Sequence, residues 1–170
     1  RSEMYTTNHQ NKIELKSSSG MLITTANTPY FCDEERKLLC ELIDEVICIF
    51  DELDINFKFR IYDEYLIRRF AISPEQNDVE ESFEECVSRY SGLITTPSTV
   101  AQTAMSMGIP VGLLDYRDTP VFLSTGWRMH KSCSIRNTVL SMQSFDEDRM
   151  AYQADNVITL RANDSLNILL

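Results

Sequence analysis

Two hydroxyl-bearing residues, Ser98 and Thr99, follow Pro97 where an apolar run ends and a run of small residues begins. Serine or threonine in this position caps a helix, because its side-chain oxygen accepts a hydrogen bond from a free N–H group of the first turn, a contribution of roughly 1 kcal/mol. The same free amides, the positive end of the helix dipole and the two hydroxyl groups also form a site for an anion such as phosphate. The sequence leaves both interpretations open.

Other polar side chains lie directly after apolar runs. Thr25 and Asn27 follow the first run, where they would hydrogen-bond a ligand or simply form a turn. Asp63, Asp115 and Tyr116 follow later runs. If the Ser98 region binds the anionic group of a ligand, these five residues are candidates for contacts with the rest of that ligand.

Basic side chains are concentrated in one segment of a chain whose net charge is −10. They are Arg117, Arg128, His130 and Lys131. Around an anionic ligand they would screen negative charge, and the alternative is a solvated loop that Trp127 anchors to the core. Arg60 lies inside an apolar and aromatic run, and there we expect it to pair with a nearby carboxylate.

The elements that must position these residues alternate along the chain. The predicted strands cover 21–25, 56–62, 93–96, 110–114 and 156–160. The first predicted helix begins at Asp33, and the last begins at Asp164. The helices between them cover 78–92, 98–108, 134–142 and 145–155, and Gly92 is expected to be the C-terminal glycine of the first of these. Residues 64–70 are a short helical turn or irregular, and 115–133 form a long loop. The order predicts an α/β, doubly wound, mostly parallel sheet of about five strands with helices on both faces, a Rossmann-like architecture.

Ligands of such folds bind beyond the carboxyl ends of the strands. That rule selects four loops: 26–31, 63–69, 96–99 and 115–131. The candidate residues named above lie in these loops or at their margins, and for this reason we expect one binding site at a single edge of the sheet.

Composition limits the classes of function. A chain of 170 residues suits one domain, which we place at 20–170, and the polar segment 1–19 is expected to be a linker or domain edge of a larger protein. The net charge of −10 disfavours broad nucleic-acid binding. No apolar run approaches the roughly 18 residues of a transmembrane helix. Five cysteines without CxxC spacing and two histidines disfavour a metal site, and we expect the cysteines to be buried in a reducing compartment.

A longer motif surrounds Ser98. The run 93–99, then Ala104 and then Gly108-Ile109-Pro110-Val111, resembles the donor half of GT-B glycosyltransferases. The resemblance is best over 91–116 and looser over 21–160. Trp127 together with Arg149-Met150-Ala151-Tyr152-Gln153 is similar to the closing region of bacterial capsule and lipopolysaccharide transferases.

The resemblance implies a nucleotide-sugar donor-binding domain of a glycosyltransferase of surface polysaccharide biosynthesis, which transfers a sugar to a glycan acceptor. Pro97, Ser98 and Thr99 would bind the donor phosphate. The nucleotide-sugar is a substrate, and neither a cofactor nor an obligatory metal is implied. An acceptor-side domain of the parent protein would supply the general base, so no catalytic residue is nominated and the chain alone is an incomplete enzyme. The implied location is the cytoplasm. Other parts of the parent protein would attach it to the inner face of the membrane.

Two departures leave alternatives open. Several relatives in the family carry a His-Pro pair after strand two, where this chain has Tyr62-Asp63-Glu64, and the family's acidic donor-sugar ligands have no unambiguous match. The alternatives are half of a nucleotide-sugar epimerase and a non-catalytic binding or scaffolding domain of the same fold. A CheY-like signalling domain is least favoured, because "LITTANT" lacks its acidic pair. Neither GxGxxG nor GxxxxGK[ST] is present, which disfavours Rossmann dehydrogenases and P-loop NTPases.

Overall fold

The computed structural model describes residues 20–117 and 123–167. The strands are β1 (Met21–Thr24), β2 (Phe57–Arg60), β3 (Gly92–Thr95), β4 (Val111–Leu114) and β5 (Trp127–Met129). The helices are α1 (Asp33–Glu52), α2 (Glu64–Arg69), α3 (Phe83–Val87), α4 (Thr99–Ser106), α5 (Ile135–Gln143) and α6 (Glu147–Asn167), with a 3-10 turn at Pro74–Gln76.

The five strands form one sheet in the order β2-β1-β3-β4-β5, and every pairing is parallel. In the register, Ile23 of β1 lies between Phe59 of β2 and Ile94 of β3. The predicted doubly wound α/β fold is therefore confirmed. In this strand order the chain reverses its winding between β1 and β3, and ligands of open α/β sheets bind beside that point.

Two apolar cores cover the two faces of the sheet, because alternate strand residues point in opposite directions. Ile23 and Ile94 pack in one core with the buried residues of α1 and α5, whereas Leu22 and Leu93 pack in the other with those of α3 and α4. All four strand residues are fully buried. Helices on both faces thus explain why these short strands are apolar along their whole length.

Helix α1 forms as its sequence predicts. Apolar residues recur three and four positions apart and make one buried stripe, from Leu39 to Phe50. Its first turn carries Asp33, Glu34 and Glu35, which suit the positive end of the helix dipole. The helix crosses one face of the sheet and returns the chain to β2.

The predicted fifth strand at 156–160 is wrong. Those residues continue α6, which is unbroken from Glu147 to Asn167, so no new helix begins at Asp164. The fifth strand is instead Trp127–Met129, inside the predicted loop 115–133. Periodicity does not distinguish a short apolar run in a strand from one in a helix, and a three-residue strand shows too little alternation to be recognised. The segment is identified as a strand by its pairing with β4, and this tertiary contact is not visible in the sequence.

The predicted helix 78–92 is also mostly wrong. Only Phe83–Val87 is α-helical, and Gly92 begins β3 instead of ending a helix. Ser82 starts α3 with a capping box, in which its hydroxyl accepts from the Glu85 amide and the Glu85 carboxylate accepts from the Ser82 amide. The short segment 64–70 does contain a helix, α2. The expected linker 1–19 lies outside the described residues.

The cysteines are only partly buried, in contrast to the expectation. Cys40 and Cys86 are buried, while Cys32, Cys48 and Cys133 are exposed, and all five are free thiols. Burial raises the pKa of the Cys40 and Cys86 thiols. Across the described residues, no helix combines the length and the hydrophobicity needed to cross a bilayer.

Candidate anion-binding cleft

A cleft of about 490 Å³ lies at the carboxyl ends of β1, β2 and β3, beside the point where the winding reverses. Its volume falls in the range of small-ligand sites, roughly 300–1,000 Å³. It is lined by Thr24, Thr25, Ala26, Asn27, Arg60, Tyr62, Phe83, Ser98, Thr99 and Val100. The structure therefore brings together four of the sequence candidates, Thr25, Asn27, Ser98 and Thr99.

Threonine hydroxyls fix the three strand ends to one another. Thr24 Oγ1 donates to the main-chain carbonyl oxygen of Arg60 over 2.6 Å, which joins β1 to β2. The amide of Ala26 donates to Thr96 Oγ1 over 2.7 Å, which joins β1 to the segment after β3. Thr24 and Thr96 are both buried. Their hydrogen bonds join the end of β1 to the ends of both neighbouring strands.

Helix α4 begins at the cleft without a side-chain cap. Ser98 occupies the N-cap position, as predicted, but its hydroxyl accepts no hydrogen bond from the first turn. Ser98 Oγ lies 3.5 Å from Thr95 Oγ1 instead, and the Ala101 amide donates to the Ser98 carbonyl oxygen. Within the described part of the chain, the amides of Thr99 and Val100 are left without an acceptor. Free amides at the positive end of a helix dipole attract an anion.

Arg60, the last residue of β2, is a buried cation in the wall of this cleft, with 7% of its surface exposed. Its Nη1 and Nη2 atoms donate to the main-chain carbonyl oxygens of Asp78 and Glu81, over 2.6 and 2.9 Å. The expected pairing of Arg60 with a carboxylate is not found within the described ranges, where Arg60 forms no ion pair. A buried charge without a counter-charge is unfavourable unless a ligand supplies one.

The hydroxyl group of Thr25 is the second unusual feature of the cleft. Thr25 has 5% of its surface exposed, and its Oγ1 atom has no hydrogen-bond partner among the described residues. A buried hydroxyl without a partner destabilises the fold by about 1–3 kcal/mol. Such a group in the lining of a cleft is the arrangement expected where a ligand completes the hydrogen bond.

The sequence candidates that lie outside the cleft lining include Asp63, Asp115 and Pro97. The carboxylate of Asp63 caps α2 by accepting from the Leu66 amide over 2.9 Å, and it also accepts from the Tyr30 hydroxyl. Burial and this carboxylate raise the pKa of Tyr30. Asp115 pairs with Arg128 over 2.7 Å. Pro97 lies in the turn between β3 and α4.

Tyr116 and Arg117 hold the loop that follows β1. Both donate to the main-chain carbonyl oxygen of Pro29, the arginine over 2.6 Å. Arg117 also pairs with Glu35 over 3.3 Å, and its guanidinium lies over the ring of Phe31. Burial raises the pKa of Tyr116 to about 12. These contacts give both residues a structural role in shaping the loop.

The remaining basic candidates are engaged by other side chains and do not line the cleft. Arg128 pairs with Asp115, Lys131 pairs with Glu41, and His130 Nδ1 lies 2.7 Å from Ser132 Oγ. The segment 118–122 of the predicted loop lies outside the described residues. The basic charge that the structure brings to the cleft comes instead from Arg60.

A larger groove, of about 640 Å³, lies at the opposite end of the sheet beside the start of β2. Its lining includes Asp78, Arg89 and Tyr90. The Asp78 carboxylate is already paired with Arg89 and bonded to the Tyr90 hydroxyl, each over 2.8 Å. Arg89 is already paired, and the other cation of the lining, Lys58, is exposed to solvent, whereas Arg60 of the cleft is buried. Because water screens an exposed charge more strongly, this groove is the weaker candidate for an anion site despite its size.

The cleft residues that sequence reasoning missed include Arg60, Tyr62 and Phe83. The rule that selects the carboxyl ends of strands would have included Arg60 and Tyr62 if the second loop had been extended back to the end of β2. Phe83 had no such signal, because only the tertiary fold carries α3 to the cleft. Among the described residues, no group of three or more histidine, cysteine or carboxylate side chains is arranged to hold a metal ion.

Comparisons of this chain with protein-family models, with curated proteins and with solved structures give no match.

Proposed function

We propose that the cleft binds the phosphate groups of a nucleotide-linked sugar, and that the chain is the donor-binding domain of a GT-B type glycosyltransferase of surface polysaccharide biosynthesis. The observation that carries the proposal is Arg60, a buried cation without a carboxylate partner among the described residues, in the same cleft as the uncapped start of α4. The cleft position beside the β1/β3 reversal and the motif around Ser98 support the same assignment.

The residues of the cleft suit a phosphate ligand. The free amides of Thr99 and Val100 and the hydroxyls of Ser98 and Thr99 donate hydrogen bonds to phosphate oxygens. Arg60 contributes positive charge in a position that Asp78 and Glu81 fix through their carbonyl groups. A cation held rigidly in a poorly solvated wall binds an anion more strongly than an exposed one does, because less water screens it.

In sugar transfer, these groups stabilise the leaving nucleotide. The bond between the anomeric carbon of the sugar and the donor phosphate breaks, and an acceptor hydroxyl forms the new bond to that carbon. The departing phosphate gains negative charge, which Arg60 and the start of α4 are placed to stabilise. The acceptor proton passes to a general base, which we assign to an acceptor-side domain of the parent protein.

Calorimetric titration with UDP-, CMP- and GDP-linked sugars tests the proposal. We expect one of them to bind with a sub-millimolar Kd, and Arg60→Gln to weaken binding at least about 10-fold. The double variant Ser98→Ala/Thr99→Ala should weaken it several-fold, because the main-chain amides remain. Thr103→Ala/Ser106→Ala is the matched control, since it removes one threonine and one serine hydroxyl from the other end of α4.

Thermal unfolding followed by circular dichroism separates loss of binding from loss of fold, which matters for the buried Arg60. Arg60→Lys, which keeps the charge, should retain more affinity than Arg60→Gln. If none of the three donors binds at millimolar concentration to the whole protein, the donor site is wrong, and a scaffolding domain without nucleotide affinity is favoured. Unchanged affinity in the Ser98/Thr99 variant removes only the role of those two hydroxyls.

A further inference from the structure

The cleft has an aromatic side as well as a polar one. Tyr62 is 50% exposed, and Phe83 and Val100 are partly buried. All three line the cleft that contains Arg60 and the start of α4. Phosphate and other small anions gain nothing from apolar surface, so the aromatic side indicates a ligand that carries a flat apolar group beside its anionic one.

The position of the Tyr62 ring is supported from within the protein. The guanidinium of Arg60 lies 5.7 Å from the centre of that ring, within the range of a cation–π contact. Arg60 is itself fixed by the carbonyl oxygens of Asp78 and Glu81. The exposed ring therefore stands against a rigid, buried neighbour, and a ligand that stacks on it pays little ordering entropy.

We propose that Tyr62 is the stacking platform for the base of the nucleotide, with Phe83 and Val100 as the apolar surroundings of that base. The inference rests on the proposed phosphate site, to which it adds a base subsite after β2. A nucleobase has a π-face and is covalently linked to phosphate, so it satisfies the aromatic and the anionic sides of one cleft together. The ligand class is thus a nucleotide and not a sugar phosphate.

Three probes separate the parts of such a ligand: UDP carries base, sugar and phosphates, ribose 5-phosphate lacks the base, and inorganic pyrophosphate lacks both base and sugar. GDP is titrated beside UDP, because stacking tolerates either base. We expect Tyr62→Ala to weaken the binding of UDP or GDP by about 5- to 100-fold. The same variant should leave pyrophosphate and ribose 5-phosphate affinities within about 2-fold of the original chain.

Tyr62→Phe keeps the ring and should retain the nucleotide affinity within about 2-fold. Tyr152→Ala is the matched control, because Tyr152 on α6 is also 50% exposed and does not line the cleft. Circular dichroism of each variant confirms the fold.

The results distinguish the base subsite from the phosphate site beneath it. If pyrophosphate binds but Tyr62→Ala leaves UDP and GDP affinity unchanged, the stacking role is wrong and the phosphate site stands. An equal loss of ribose 5-phosphate affinity assigns the ring to the sugar, and an equal loss of pyrophosphate affinity assigns the effect to Arg60; either overturns the inference. If the original chain binds neither pyrophosphate nor a nucleotide at millimolar concentration, both the phosphate site and the base subsite are wrong.

Discussion

The hydroxyl group of Thr24, at the end of β1, donates a hydrogen bond of 2.6 Å to the main-chain carbonyl oxygen of Arg60, at the end of β2. This bond connects the residue that supplies the cleft's positive charge to the strand at the centre of the candidate site. The next residue, Thr25, is also buried, yet its hydroxyl has no partner among the described residues. Removal of the hydroxyl group is therefore expected to change the free energy of unfolding in opposite directions at these two adjacent threonines.

Thr24→Val should destabilise the protein by about 1–2 kcal/mol, because the carbonyl oxygen of Arg60 loses a buried donor while the side-chain volume is retained. Urea unfolding measures the change. Thr24→Ser keeps the hydroxyl group and should lose less stability than Thr24→Val. Equal stability of the valine and original chains would show that the hydrogen bond contributes nothing.

Thr25→Val should leave the free energy of unfolding unchanged or raise it by about 1 kcal/mol, since it removes a buried polar group that has no partner. If that hydroxyl serves the ligand, pyrophosphate affinity should fall several-fold in the same variant. Thr25→Ser should preserve the affinity. A clear loss of stability in Thr25→Val would mean that the hydroxyl is satisfied in the free protein.

Gln153 should be a major stabilising residue, although it lies in a helix whose neighbouring residues are mostly exposed. It is 1% exposed, its amide nitrogen donates to the Ile109 carbonyl oxygen over 2.8 Å, and its oxygen accepts from the Val111 amide over 2.9 Å. Gln153→Ala leaves both main-chain groups unpaired, for an expected loss of about 2–4 kcal/mol in urea unfolding. Gln102→Ala, on the exposed surface of α4, is the control and should be nearly neutral.

Gly20→Ala should be more destabilising than Gly108→Ala. Both glycines have positive φ, +80° and +72°, so an alanine is strained at either position by roughly 1–2 kcal/mol. At Gly20 the added Cβ would also lie 2.6 Å from the main-chain oxygen of Asn56, whereas at Gly108 it meets nothing within 4 Å. Thermal unfolding of the two variants compares them directly, and equal losses would contradict the steric contribution at Gly20.

Protonation of the Asp78 carboxylate should make the protein less stable in acid. Burial alone would raise the pKa of its carboxyl, but hydrogen bonds from Tyr90 and Arg89 and the charge of Arg89 outweigh it, and the pKa lies below the ordinary value of 3.8. A lowered pKa in the folded state stabilises the protein above the unfolded value, and this stabilisation is lost as pH falls from about 4 through the folded pKa. Asp78→Asn should flatten the dependence of the unfolding free energy on pH across that range. An unchanged slope in Asp78→Asn would contradict the assignment.

Much of the fold was predictable from the sequence, because its determinants are local. The apolar stripe of α1 and the short apolar runs of β1, β3 and β4 follow from periodicity and residue type, and their alternation predicts a parallel sheet. The glycine after α4 was equally readable, since Gly108 has the positive φ that ends a helix. The same reasoning placed Ser98, Thr99, Thr25 and Asn27 at one edge of the sheet, where they do line a common cleft.

What only the tertiary structure decided depends on contacts between distant residues. The strand Trp127–Met129 exists because it pairs with β4, and residues 156–160 are helical as the continuation of α6. The role of Arg60 was hidden because its partners are two main-chain carbonyls 18 and 21 residues away, and main-chain acceptors leave no mark in a sequence. Whether a hydroxyl is paired is likewise a matter of geometry, so the sequence could place Thr24 and Thr25 side by side but could not tell the bonded one from the free one.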